Sequence, residues 1–159
     1  MSEQHGFVIV LQTKSETSSD FGMHKKGSYV QIIDFNNLPN GLLGITVKSE
    51  NKVSISNIHQ LEDGLHVADA KSEFDPEVDD QAVLAEYPDI LNILSQIMKH
   101  PRVSDLPINV DFSSADSVAY HLAGLIPLTS SEKQNLLEAF DAPHRMTILS
   151  KYIEKLSAN

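Results

Sequence analysis

"KVSISNIHQLEDGLHVADAKSEFDPEVDDQAVLAEYPDILNILSQIM", residues 52–98, holds the change of pattern that decides the fold. Its opening alternates, with Val53 and Ile55 directed inward and Ile58 beyond them, the period-2 mark of a half-buried strand. Asp63-Gly64 within "LEDGL" (61–65) marks a hairpin, and "LHVADAK" (65–71) alternates again. After Phe74 the period lengthens. Val83, Leu84, Tyr87, Leu91, Leu94 and Met98 recur at helical spacing, and Ile90 and Ile97 widen the stripe. Pro88 lies inside that stripe, so a helix starts or kinks there.

The strand pattern continues toward the N-terminus. "GFVIVLQT" (6–13) is a short apolar run, and "GSYVQIIDF" (27–35) is β-branched and aromatic. "NNLPNG" (36–41) is turn chemistry before "LLGITVK" (42–48), and "KVSISNIH" (52–59) follows. Five short strands joined by turns predict an antiparallel barrel or sandwich. Toward the C-terminus, residues 100–112 form a connector with Pro101 and Pro107. A helix over about 114–125 is capped by Ser113 or Ser114. The class is α+β, with a β subdomain over residues 1–76 and a helical subdomain over 77–159.

"LIPLTSSEKQNLLEAFDAPHRM" (125–146) concentrates Lys133, Glu138, Asp141, His144 and Arg145. Its punctuation has a simpler reading than catalysis. Thr129 and Glu132 have capping-box spacing, Asp141 suits the cap of a last helix, and Pro143 is tolerated in its first turn. Leu136, Leu137, Phe140, Met146, Leu149, Ile153 and Leu156 fall where a helical core belongs.

The composition narrows the function. Acidic residues number 22 and basic residues 12, a formal charge of −10. A nucleic-acid binder neutralises phosphates, and this chain repels them; anionic membranes are disfavoured for the same reason. The longest apolar run, Phe7–Leu11, is far short of the roughly 18 residues that a spanning helix needs. No signal-peptide pattern appears at the start, and cytoplasm is the expected location. Cysteine is absent, which excludes disulfides, thiol catalysis and cysteine metal sites.

Other chemistries lack their parts. The seven histidines, His5, His24, His59, His66, His100, His121 and His144, include no pair at the i, i+4 zinc spacing. His59 and His66 flank the Asp-Gly hairpin, where they could face each other. His121 is expected packed and hydrogen-bonded on its helix. "EFDPEVDD" (73–80) places Asp75, Glu77, Asp79 and Glu86 at calcium-loop positions, but Asp80 stands where the turn needs glycine. It reads as an acidic lead-in to a helix N-terminus. No phosphate-cradling G-x-x-x-x-G-K-[ST] loop occurs, and Ser150-Lys151 are helix neighbours that do not face each other. No catalytic residue, metal site or cofactor is expected.

"GLIPLTSSEKQNLLEAFDAPHRMTILSKYIEKL" (124–156) resembles the closing segment of the N-terminal substrate-binding domain of Lon proteases. There a leucine–proline turn, a Lys-Gln pair, a leucine pair and an Asp before a basic residue recur. Residues 27–77 resemble that domain's central strands, with a "G-x-x-x-x-I-x-D-F-x-x-L-P-x-G" run, a strand ending in charge, a Lys-Val-x-Ile strand in which Lys52 replaces the usual Arg, and a last strand after Asp-Gly. The resemblance implies a PUA-like antiparallel β pseudobarrel followed by a C-terminal helical bundle, as in short stand-alone bacterial members without ATPase or protease domains. It also implies a non-enzymatic role in binding unfolded or specific protein segments and assisting ATP-dependent proteolysis, with a Lon-type protease as partner. The family's usual first strand is missing; "MSEQHG" resembles the end of the helix that follows it. Either the natural start lies further upstream, or the protein dispenses with that piece.

A missing strand leaves an open sheet edge, which can template a peptide or a second copy of the chain as a homodimer. The apolar loop residues Phe21, Met23, Leu38 and Phe74 are the candidate peptide-binding residues. The alternative is a PUA-like RNA-binding module, which the acidic balance opposes.

Overall fold

The structure, a computed structural model, describes residues 6–13 and 21–158. It comprises two compact units, Met1–Phe74 and Asp75–Asn159. The class is α+β, with strands in the first unit and helices in the second. The reading of "MSEQHG" as a helix end falls on residues 1–5, outside the described part.

The first unit is an antiparallel meander of β1 (Gly6–Gln12), β2 (Met23–Asn37), β3 (Leu43–Gln60) and β4 (His66–Glu73). Strand order follows the chain, and the sheet is not closed: β1 and β4 are its two edges among the described residues. Four strands stand where five were expected. Residues 42–48 and 52–59 belong to one 18-residue strand. The polar "SEN" at 49–51 looked like a turn, but it stays in the ladder. Val30 pairs with Ser49 and Tyr29 with Asn51, and a bulge at Glu50 absorbs the break. The 15-residue β2 is long enough to pair with both halves.

Close approach shapes the β1–β2 pairing. An added Cβ on Gly27 would lie 2.6 Å from the Ile9 carbonyl oxygen, so only glycine fits there. Buried apolar side chains in this unit are few: Val30, Val53 and Ile55 among the described residues. Lys26 of β2 reaches across β3 to Glu73 of β4, Nζ to Oε2 2.7 Å. The Lys26 hydrogen bond holds the Glu73 carboxyl below the ordinary glutamate range, against a smaller opposing effect of burial.

The second unit carries six helices: α1 (Asp80–Ala85), α2 (Pro88–Met98), α3 (Pro101–Ser104), α4 (Ala115–Leu125), α5 (Ser130–Leu137) and α6 (Ala142–Ser157). The expected interruption at Pro88 separates α1 from α2, with Pro88 in the first turn of α2. Side chains cap the starts as the spacing predicted. Ser114 accepts from Ser117 N on α4, and Asp141 accepts from His144 N on α6. Thr129 and Glu132 form a complete capping box on α5. Leu94, Val118, Leu122, Leu136, Met146 and Leu149 are fully buried. Each contributes roughly 1.5–3 kcal/mol by leaving water. α4 is the central element, packed against α1, α2, α5 and α6.

One charge lies inside this core. Arg145 of α6 is fully buried. Its Nε donates to the Leu136 carbonyl in the last turn of α5 at 2.9 Å, beside the weaker backbone contact from Ala139 N. Nη2 donates to Asp75 Oδ2 at 2.6 Å, Nη1 donates to Asp116 Oδ1, and the Tyr120 ring lies 4.5 Å from Cζ. Burial alone would lower the Arg145 pKa, but Tyr120, Asp75 and Asp116 outweigh it and raise it. Burial pushes Tyr120 up to about 12. Asp116 is raised too: its desolvation outweighs the attraction of Arg145, and Asp75 adds repulsion.

Two measurements check this account. Arg145→Met should destabilise the helical unit by about 3–5 kcal/mol in urea denaturation, because it strands two carboxylates and a carbonyl; an unchanged midpoint contradicts it. Glu73 has a folded pKa below its unfolded one. Its ion pair therefore stabilises fully above the unfolded value and is lost as pH falls through the folded one. Glu73→Gln should flatten that acid-side loss while costing at most about 1 kcal/mol at neutral pH. Denaturant melts across a pH series read both quantities.

Candidate functional site

The β2–β3 pair outruns its neighbours. β1 pairs with β2 no further than Gln31, and β4 pairs with β3 no further than Lys52. Beyond both of those points, residues 32–37 of β2 and 43–47 of β3 form a two-stranded ribbon with no third strand among the described residues. A bare ribbon has no layer to cover its apolar side chains. Ile33, Phe35, Leu38, Leu42, Leu43 and Ile45 are accordingly exposed, Phe35 at 60% and Leu43 at 64%.

The register sorts the ribbon's two faces. Phe35 opposes Ile45 and Asn37 opposes Leu43, which places Phe35, Leu43 and Ile45 on one face. Asp34, Asn36, Gly44 and Thr46 take the other, where Asn36 Nδ2 donates to Thr46 Oγ1 at 3.3 Å. Residues 35–47 carry no charged side chain at all. The ribbon from residue 35 to residue 47 is therefore an uncharged strip, apolar on one face, with a free edge along each strand among the described residues.

Its tip repeats elsewhere in the unit. "LPNGL" (38–42) and "LEDGL" (61–65) close their hairpins identically. In each, the first leucine N donates to the second leucine carbonyl, at 2.9 Å for Leu38 and 2.8 Å for Leu61. The glycine N returns to the first leucine carbonyl at 2.9 Å in both. The Asn40 or Asp63 Oδ1 accepts from the second leucine N. Gly41 and Gly64 take φ of 78° and 87°, a left-handed backbone that suits glycine. All four leucines are exposed, so each tip displays a pair.

The four candidate residues from the sequence are not gathered in one place. Leu38 is exposed at the ribbon tip. Phe21 and Met23 are half-buried at the opposite end of β2. The Phe21 ring meets that of His66, at the β3–β4 tip, edge-on at 4.8 Å, and its backbone takes a left-handed φ of 53°. Phe74 follows β4 and is 84% exposed. Reasoning from loops missed Phe35, Leu42, Leu43 and Ile45, because three of these lie in strands.

The polar candidates have local tasks. His59 pairs with Val67 and His66 with Gln60, so these two histidines project to opposite faces of the sheet and do not face each other. His121 Nδ1 lies 2.7 Å from the Ser117 carbonyl, packed and bonded as expected. His100 caps α3, and His144 accepts from Phe140 N. The acidic stretch disperses: Asp75 pairs with Arg145, Asp79 caps α1, and Asp80 Oδ1 accepts from Ala115 N at 2.8 Å.

Comparison with known proteins adds the family. The chain is similar in fold to the Lon N-terminal domain protein from Xanthomonas campestris, with a TM-score of 0.68 at 18% identity over 93% of this chain and 76% of that one. It is also similar to the N-terminal domain of Mycobacterium avium complex Lon protease, with a TM-score of 0.64 at 17% identity over 91% and 76%. No curated protein matches the sequence. The family described as the ATP-dependent protease La (LON) substrate-binding domain matches residues 1–155. With 155 of its 159 residues accounted for by that one description, the chain belongs to the Lon substrate-binding domain family.

Proposed function

We propose that the chain is a non-enzymatic module that binds extended apolar segments of protein clients on the β2–β3 ribbon and so assists ATP-dependent proteolysis by a Lon-type protease. The observation that supports this reading is the uncharged strip of Phe35, Leu43 and Ile45 beside open strand edges. An extended segment adds to such an edge by main-chain hydrogen bonds, and alternate side chains settle on the apolar face. Leu38 and Leu42 extend the contact at the tip, and Phe21, Met23 and Phe74 serve as separate, lesser contacts. Ordering an unfolded client offsets much of the gain from burial, which suits a module that must release what it holds. The strip offers no cation to an RNA phosphate. A second copy is the competing occupant of the open edge, and sedimentation of client-free protein reports it.

Fluorescence anisotropy with a labelled, permanently unfolded client tests the proposal. The double variant Phe35→Ser/Leu43→Ser should weaken binding at least about tenfold, equivalent to about 1.4 kcal/mol, with circular dichroism unchanged. Equal affinity in a folded double variant overturns it.

A further inference from the structure

The helical unit holds a groove that the ribbon does not involve. It runs between α2 and α6, lies broadly open to solvent and offers a volume of about 530 Å³. Half-buried Ile93 and Ile153 form its floor. Asp89 and Asn92 line the α2 side; Glu154, Ser157 and Ala158 line the α6 side. No lysine or arginine lines it. Lys155, in the last turn of α6, is directed to Glu132 of α5, Nζ to Oε1 3.1 Å.

We infer that this groove docks a protein segment that presents an aliphatic side chain beside a lysine or arginine. The aliphatic group covers the isoleucine floor. The cation answers two carboxylates that arrive from different helices. The two carboxylates are not equal. Asp89 sits in the first turn of α2, where the positive end of the helix dipole offsets part of its charge. Glu154 is near the end of α6, where the dipole's negative end adds to its charge, so the cation seats on the Glu154 side. Ser157 Oγ is committed to the Ile153 carbonyl at 3.0 Å, and Asn92 Oδ1 accepts from Gln96 at 3.2 Å. The carboxylates are thus the groups that discriminate. An anionic segment is repelled, and a purely apolar one leaves the rim charges unanswered.

Amide NMR titration of the whole chain with two capped model peptides tests the assignment, one alternating Leu with Lys and the other Leu with Glu. The Leu/Lys peptide should perturb Asn92, Ile93, Ile153 and Ser157, and the Leu/Glu peptide should not. Asp89→Asn together with Glu154→Gln should weaken the Leu/Lys peptide at least about fivefold, and raising salt from about 50 to about 500 mM should weaken it in the wild type. The Phe35→Ser/Leu43→Ser variant should bind that peptide at the groove as the wild type does, which keeps this site distinguishable from the ribbon. Equal binding of the two peptides, perturbation confined to the ribbon, or an unaffected groove variant overturns the inference.

Discussion

The β2–β3 ladder is the constraint on which the first unit depends. β1 and β4 each attach to one flank of that ladder, and neither touches the far part of it. Two bulges, at Ile33 and Glu50, let these two long strands stay paired while their local twist changes, and a further one, near Asn57, lies in the β3–β4 pairing. Asn57 adopts a φ of 52° at the last of these, and its side chain donates to Asp69 at 2.6 Å. Pairing therefore persists where burial does not. The exposed apolar strip follows from this: the ladder supplies hydrogen bonds beyond the reach of any covering strand among the described residues.

The two units solve opposite problems. Among the described residues, the helical unit buries its apolar side chains around α4 and admits a single fully buried charge, Arg145, which it surrounds with acceptors. Among the described residues, the strand unit buries three apolar side chains and leaves many outside. Apolar surface exposed on this scale is a feature of interaction sites. Several polar groups have local tasks: His100, Asp79 and Asp141 cap helices, and Asp63 closes a turn.

Legibility in the sequence followed the range of the interactions involved. Asn40-Gly41, Asp63-Gly64, Ser114, Thr129 with Glu132, and Asp141 were readable because each acts within a few residues of itself. The turn expected at 49–51 was misplaced because a remote strand, β2, overrode local polarity there. Composition marked 27–35 as a strand but could not tell whether anything lies over its apolar side chains; that depends on where β1 and β4 end. The burial of Arg145 was equally hidden, since its carboxylate partners lie 70 and 29 residues away. The family resemblance reached the fold through an ordered set of weak motifs, none of which points to Phe35 or Leu43.

The uncharged ribbon also bears on colloidal behaviour. At neutral pH the net charge of −10 opposes the approach of one copy of the chain to another, and Asp34 and Lys48 stand as gatekeepers on either side of the strip. That mutual repulsion vanishes near the isoelectric point of about 5.0. Mild acid would thus bring ribbon edges within pairing distance of one another, and solubility would fail first along β2 and β3.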